Sequence, residues 1–232
     1  MENILLFPTL AIQNQFKVSQ NEKDIWFETY IKNSDPETGK SHDFLGYETI
    51  HHNQKLEFFF KDKLMPTVRG YLISLNIDPK FFDIHVTKTF FNVTDQNGIH
   101  EHDHAENHIS FVYYPHVAAG KERDLIFYHP EKAHGNEPYT QWFDSNVESW
   151  DFINARSFSV PVNEGMMYIF PAKLAHNIQK KEGDTDYIKG FKKPYDLNQT
   201  RFCVAGDMII TRKEKGKYRR TLPPVQDWRR FD

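Results

Sequence analysis

The sequence predicts a mainly β protein with flanking helices, of the double-stranded β-helix (jelly-roll) type. Aromatic residues are abundant, with 20 Phe, 11 Tyr and 4 Trp, and such residues favour strands. From residue 82 onward, short apolar runs alternate with turn residues, as in a sheet of antiparallel strands. Helical periodicity is confined to the first part of the chain. This distribution is typical of a jelly roll with helical support.

The chain length fits a single domain, because 232 residues can enclose one full hydrophobic core. Within it we predict an N-terminal helical support over residues 1–80 and a β core over residues 82–211. Residues 212–232 form a basic tail, which we interpret as a solvated segment rather than a nucleic-acid contact.

Two helical regions are predicted in the N-terminal part. Residues 24–31 form one short amphipathic helix, after a first strand at residues 4–7. Residues 54–75 carry apolar side chains at three- and four-residue steps, which predicts a helix packed against the sheet. Pro66 lies inside this pattern and is expected to kink the helix or split it in two, because proline lacks the amide N–H.

The predicted β core consists of short strands separated by turns at residues 94–98 and 163–165. The second turn is predicted to join the strand at 158–162 to its return strand at 166–170. Pro115 and Pro171 are expected to end two of the strands. The last apolar segments, around Gly206, supply one or two strands. The predicted strands span residues 82–93, 109–114, 125–128, 158–162, 166–170, 201–205 and 207–211.

Composition excludes several functional classes. The net charge of −3 gives no electrostatic case for binding nucleic acid or an anionic membrane. No apolar run reaches membrane-spanning length, and the N-terminus lacks a basic region ahead of a long apolar run, so no signal peptide is predicted. The single cysteine fits a reducing compartment. The sequence therefore predicts a cytoplasmic protein.

A histidine cluster between residues 100 and 108 is the strongest functional signal. His100, His102 and His104 alternate with other residues, so on an extended strand their imidazoles and the carboxylate of Glu106 would project to one face. His176 follows a later strand and could close the site. Convergent imidazoles and carboxylates are the ligands that a divalent first-row metal requires. We therefore predict a metal site, against the alternative of a solvated loop that binds metal adventitiously.

Two ligand sets are compatible with this cluster. His102, His104 and His176 would give an all-nitrogen site. His104, Glu106 and His176 would instead give two histidines and one carboxylate, the set that is usual in non-haem iron(II) oxygenases. The residue pattern leaves both sets open.

Several segments together resemble the small phage and bacterial oxygenases that depend on 2-oxoglutarate and Fe(II), of the prolyl-hydroxylase-like superfamily. The His102-x-His104 motif lies six residues before the segment Ser-Phe-Val-Tyr-Tyr. Residues 163–176 resemble the second motif, a glycine turn, an apolar strand ending in Phe-Pro, and a histidine. Residues 200–205 resemble the arginine strand that follows. The similarity covers residues 82–210 in order.

The resemblance implies a function and roles for the matching residues. His102, His104 and His176 match the metal positions, with Fe(II) as the metal. Arg201 matches the residue that binds the distal carboxylate of 2-oxoglutarate, and Tyr114 lies where related enzymes place a tyrosine that contacts the same group. The implied reaction hydroxylates a C–H bond, using O2 and converting 2-oxoglutarate to succinate. Kinship alone suggests a peptide substrate such as a prolyl residue, and the host cytoplasm as the location if the gene is from a phage.

The sequence departs from the family pattern at Phe111, where a glycine is usual, and at Cys203, where a serine or threonine is usual. We expect Phe111 to narrow the pocket. The long insert at residues 179–199 is interpreted as a lid or substrate loop. Two other functions remain open: a cupin-type metal enzyme, which has no need of Arg201, and a non-enzymatic jelly-roll binding module with a structural zinc.

Overall fold

Two antiparallel sheets face each other in the computed structural model of the chain, which describes residues 9–33, 49–94, 99–130, 148–149, 155–179, 196–214 and 221–229. Within these residues the larger sheet has the strand order β1-β7-β4-β9-β2 and the smaller sheet the order β3-β8-β5-β6. The strands are β1 (Ile12–Gln15), β2 (Phe82–Thr94), β3 (Ile99–His102), β4 (Ile109–Val117), β5 (Leu125–Tyr128), β6 (Ser157–Val160), β7 (Met166–Pro171), β8 (His176–Ile178) and β9 (Arg201–Arg212). The predicted jelly-roll architecture with flanking helices is confirmed.

The larger sheet is buried on both faces. Alternate residues of a strand point to opposite faces, and on β4 Phe111 and Tyr113 pack towards the helices while Val112 and Tyr114 pack towards the smaller sheet. The helix-side core is aromatic, with the ring of Trp26 6.2 Å from that of Phe91. The other face of the sheet forms the interior of the jelly roll, where the predicted site residues Tyr114 and Arg201 lie.

The predicted N-terminal helices are present with altered bounds. The first, α1, spans Gln20–Asn33. The region predicted as a helix over residues 54–75 begins with a short helical turn at Gln54–Leu56 and continues in a π-helical turn at Phe59–Leu64. This turn leads directly into α2 at Met65–Ser74, with Pro66 in the first turn of α2. Proline is tolerated there because the first N–H groups of a helix have no partner within it. In the part of the chain that the structure describes, no helix is long and apolar enough to cross a membrane.

Two predictions about the strands need correction. Strand β4 continues past Pro115 to Val117, because a register shift between Tyr113 and His116 accommodates the missing N–H. Strands β6 and β7 were expected to form a hairpin, but β6 pairs with β5 and β7 with β1 and β4, so the turn between them crosses from one sheet to the other. The last two apolar segments, predicted to supply one or two strands, form one long strand, β9.

Other sequence predictions lie outside the described residues. These are the first strand at residues 4–7, most of the turn at 94–98, most of the insert at 179–199 and part of the basic tail.

Gly165 fixes the crossing turn that leads into β7. Its φ is +82°, and a Cβ atom there would lie 2.0 Å from the carbonyl oxygen of Phe16. Its N–H donates to Tyr114 O at 2.7 Å and its carbonyl accepts from Phe16 N at 2.9 Å. We expect Gly165→Ala to lower the free energy of unfolding by more than about 2 kcal/mol, because the left-handed conformation alone costs a non-glycine residue about 1–2 kcal/mol.

Urea unfolding of the unmodified protein and of Gly165→Ala measures this loss of stability. Gly120→Ala is the matched control. Gly120 also has a positive φ, of +77°, but a Cβ atom there meets nothing within 4 Å. The control substitution therefore carries the conformational cost without the overlap. Equal losses of stability in the two variants would contradict the proposed contact with the Phe16 carbonyl.

Candidate metal centre

Three histidine side chains meet at one end of the jelly roll. Their ligand atoms, from His102, His104 and His176, all lie within 4.8 Å of one another. His102 is the last residue of β3 and pairs in register with His176 on β8, which places their ring centroids 4.4 Å apart. The ring of His104 lies 5.2 Å from that of His102 and 5.4 Å from that of His176. This spacing fits three nitrogen donors around one cation.

The backbone brings His104 to this position in a different way from the one predicted. The expected extended strand through Glu106 was wrong, because β3 ends at His102 and a turn follows. The N–H of His104 donates to Ala172 O at 2.8 Å, and its carbonyl accepts from Asn107 N at 3.0 Å. The chain thus reverses at His104, and the exposed Glu106 lies outside the group of three converging histidines.

Hydrogen bonds on the far sides of two rings orient the free nitrogens. The Nδ1–H of His176 donates to Leu174 O at 2.9 Å, and His104 Nδ1 lies 2.7 Å from a carboxylate oxygen of Asp207. In each ring Nε2 is left to face the site. Burial, and then the charge of His102, lowers the pKa of His176 to about 3. His176 is therefore a neutral nitrogen donor at physiological pH.

This pKa predicts a loss of stability in acid for the metal-free protein. In the unfolded chain residue 176 binds a proton near pH 6.5, whereas in the folded chain the pKa is about 3. The folded state therefore loses stability as the pH falls through this window, by about 1.4 kcal/mol per pH unit. We expect urea unfolding in the presence of a chelator to show this slope between pH 6 and 4.

The comparison protein for this measurement is His176→Asn, whose amide N–H can keep the hydrogen bond to Leu174 O. Carboxylates and the other histidines contribute to the pH dependence of both proteins, so the quantity of interest is the difference between the two slopes. A difference near zero would contradict the depressed pKa of His176.

Asp207 is a buried acidic residue that sequence reasoning missed. Its side chain is 0% exposed, and it accepts a hydrogen bond from Ser110 Oγ at 2.5 Å and lies 3.2 Å from Lys88 Nζ. Burial alone would raise the pKa of this carboxyl, but the hydrogen bonds from His104 and Ser110 and the charge of Lys88 hold it below the ordinary value. The available signal was an acidic residue inside the otherwise apolar strand β9.

Arg201 and Tyr114 form a second polar group inside the jelly roll. Arg201, at the start of β9, is 1% exposed, and its Nη2 donates to Tyr114 Oη at 2.9 Å. The guanidinium carbon lies 4.7 Å from the centre of the Tyr114 ring, and burial raises the pKa of Tyr114 above its ordinary value. Among the described residues, Arg201 Nε and Nη1 are buried without a hydrogen-bond partner. Such donors leave a place for a carboxylate.

One cavity connects the two groups. It is lined by the three histidines, Tyr114 and Arg201, together with Phe90, Asn92, Phe111, Cys203 and other residues. Burial raises the pKa of the Cys203 thiol to about 12, so this residue presents a neutral thiol to the cavity. Phe111 contributes to the lining and also packs 6.0 Å from the ring of Phe59 in the helix-side core.

The comparison with protein families agrees with this geometry. Residues 90–188 match the family model described as putative 2OG-Fe(II) oxygenase. The matched segment begins in β2 and extends past β8. It therefore contains the three histidines and Tyr114 but ends before Arg201. No curated protein sequence is similar enough to match the chain.

Solved structures share the fold at very low sequence identity. The non-heme alpha-ketoglutarate-dependent carbocyclase SnoK from nogalamycin biosynthesis has a TM-score of 0.50 and 11% identity, over 94% of this chain and 84% of that chain. The epimerase SnoN from the same biosynthesis has a TM-score of 0.50 and 8% identity, over 90% and 82%. A Pseudomonas putida prolyl-4-hydroxylase, at 12% identity over 90% and 89%, has a TM-score of 0.41, too low to distinguish a prolyl-hydroxylase subfamily.

Proposed function

We propose that the protein is an Fe(II)- and 2-oxoglutarate-dependent dioxygenase that hydroxylates a C–H bond. The observation that carries this proposal is the buried guanidinium of Arg201, two of whose donors find no hydrogen-bond partner among the described residues and lie in the cavity of the three histidines. A buried cation without an anionic partner is costly, so the site is arranged for an anionic ligand. A dicarboxylate that also reaches the metal would pair with the guanidinium at one group of lining residues and with the metal at the other.

In this proposal His102, His104 and His176 hold the iron. Bound iron would supply the activation of O2, coupled to oxidative decarboxylation of 2-oxoglutarate to succinate. Three protein ligands leave coordination positions for a co-substrate and O2. The Nε2 atoms of His104 and His176 are oriented for this role by the bonds that their Nδ1 atoms make.

Arg201 and Tyr114 would bind the distal carboxylate of 2-oxoglutarate. The planar guanidinium offers a two-pronged donor, which suits a carboxylate better than a point charge does. Tyr114 keeps its proton because burial raises its pKa, so its hydroxyl can donate to the carboxylate. Both side chains are nearly inaccessible to solvent, which excludes water from the co-substrate and strengthens these bonds.

The identity of the oxidised substrate is a separate prediction. The resemblance of the sequence motifs to prolyl-hydroxylase-like enzymes favours a peptide residue such as proline, and this is an analogy of family rather than an inference from the site. The cytoplasmic location likewise stays a prediction from the single cysteine and from composition.

Anaerobic mixing of the protein with Fe(II) and 2-oxoglutarate tests the proposal. We expect a weak visible charge-transfer band that requires both additions, followed by succinate formation when O2 is admitted. Zn(II) in place of Fe(II) is the matched control, because its filled d shell gives no such band. Absence of the band would contradict the proposal, and stoichiometric zinc in the purified protein without succinate formation would support the structural-zinc alternative.

A further inference from the structure

A carboxylate lies behind one of the three histidines, on the side away from the cluster. Asp207 Oδ2 is 2.7 Å from His104 Nδ1, while Asp207 Oδ1 accepts from Ser110 Oγ. Both oxygens of this fully buried group are therefore used. Asp207 is not one of the three residues whose ligand atoms converge; it contacts the proposed metal centre only through His104.

The sheet register builds this arrangement. Ser110 on β4 lies directly opposite Asp207 on β9. On the other side of β9, a register shift in β2 between Val86 and Lys88 places Lys88 opposite Asp207, with its Nζ 3.2 Å from the carboxylate. The neighbouring strands on both sides thus supply a partner, and the carboxylate is held in one orientation behind the imidazole.

We propose that Asp207 is a positioning residue for the metal centre, which holds the proton of His104 on Nδ1 and supplies the negative charge that the three-histidine ligand set lacks. The inference rests on the proposed metal site and not on 2-oxoglutarate. Partners that bond the outer nitrogen of a ligating histidine fix its tautomer and raise its basicity as a ligand. A neutral amide at this position would remove the charge and could also present a donor to Nδ1, which would move the proton to Nε2.

The positive charge of Lys88, which lies beside the Asp207 carboxylate, gives a second way to test the proposed role of Asp207. Three neutral imidazoles leave the charge of a divalent cation uncompensated, and the carboxylate of Asp207 offsets part of it. Lys88 is partly exposed and forms an ion pair with the same carboxylate, which offsets part of its negative charge. Removal of its ammonium should therefore strengthen metal binding, whereas removal of the carboxylate should weaken it. A side chain that only supported the fold would not produce effects of opposite sign.

Titration of the metal-free protein with Co²⁺, followed by the visible absorption of the bound ion, tests this inference without turnover. We expect Asp207→Asn to raise the dissociation constant by about 10- to 100-fold and to change the band shape. We expect Lys88→Met to lower it by about two- to tenfold. If Asp207→Asn fails to fold, Lys88→Met still tests the inference. Methionine has a shape similar to that of lysine, so this variant is expected to fold.

The outcomes separate this inference from the proposed function. If the unmodified protein does not bind Co²⁺, both the metal site and the role of Asp207 are overturned. If it binds, an unchanged affinity and spectrum in Asp207→Asn overturns the positioning role alone. Unchanged or weaker Co²⁺ binding in Lys88→Met overturns the claim that the charge of Asp207 stabilises the bound cation.

Discussion

Replacement of Arg201 by methionine is expected to abolish useful 2-oxoglutarate binding while leaving the fold intact. Loss of one partner of a buried, hydrogen-bonded charge pair costs about 2–5 kcal/mol, which corresponds to a dissociation constant higher by about 30-fold to several thousand-fold. The Nε and Nη1 atoms of Arg201, which have no hydrogen-bond partner in the described part of the chain, mark where the carboxylate would bind. The charge-transfer band, recorded against 2-oxoglutarate concentration, measures the dissociation constant.

The thermal stability of Arg201→Met provides a second measurement of the role of Arg201 in 2-oxoglutarate binding. In the absence of co-substrate, Arg201 is a buried cation whose one described side-chain hydrogen bond is to Tyr114, and an apolar replacement of a buried charge is often neutral or stabilising. We therefore expect the melting temperature of Arg201→Met without 2-oxoglutarate to equal or exceed that of the unmodified protein. The added stability that 2-oxoglutarate gives to the unmodified protein should disappear in the variant.

Two further variants separate charge from geometry at this position. Arg201→Lys keeps a cation but loses the planar fork, so binding should be weaker than in the unmodified protein and stronger than in Arg201→Met. Tyr114→Phe removes one neutral donor, with an expected cost of about 0.5–1.5 kcal/mol. Undiminished 2-oxoglutarate affinity in Arg201→Met would point instead to a cupin-type site, which does not need this residue.

The parts of the site that are visible in the sequence are those whose chemistry is unusual for their surroundings. An arginine inside an apolar strand is costly to bury without a partner, and closely spaced histidines before an apolar strand bring several metal-binding nitrogens together. Such residues therefore indicate a site wherever the chain carries them. The jelly-roll class follows from alternating apolar runs, because sheet packing requires that pattern.

Other features depend on contacts between distant segments. Asp207 lies 103 residues from His104, and their contact depends on the register of β9 and on the shift in β2. The turn at His104 depends on its bond to Ala172 O, which no local pattern specifies. For the same reason the sequence could not assign β6 and β7 to different sheets, since both assignments give identical alternation along the chain.

Removal of any one of the three histidines by substitution with alanine is expected to destroy the metal site. Structural Zn²⁺ sites in zinc-finger peptides bind with about 10–16 kcal/mol in total, which is several kcal/mol for each ligand. On that scale each single variant should bind Co²⁺ at least about 100-fold more weakly. His102, His104 and His176 should behave alike, because their ligand atoms lie within 4.8 Å of one another. Titration with Co²⁺ measures the loss.

Glu106→Gln decides between the two ligand sets that the sequence leaves open. Glu106 is exposed and is not in the group of converging ligands, so we expect this variant to bind Co²⁺ with an affinity within about twofold of the unmodified protein, as for an ordinary surface substitution. A site with two histidines and one carboxylate predicts the opposite pattern. In that case Glu106→Gln would lose binding as severely as His104→Ala, and His102→Ala would retain it. The two patterns differ by about two orders of magnitude at both positions, so one set of titrations distinguishes them and identifies the ligand that the turn after β3 presents to the metal.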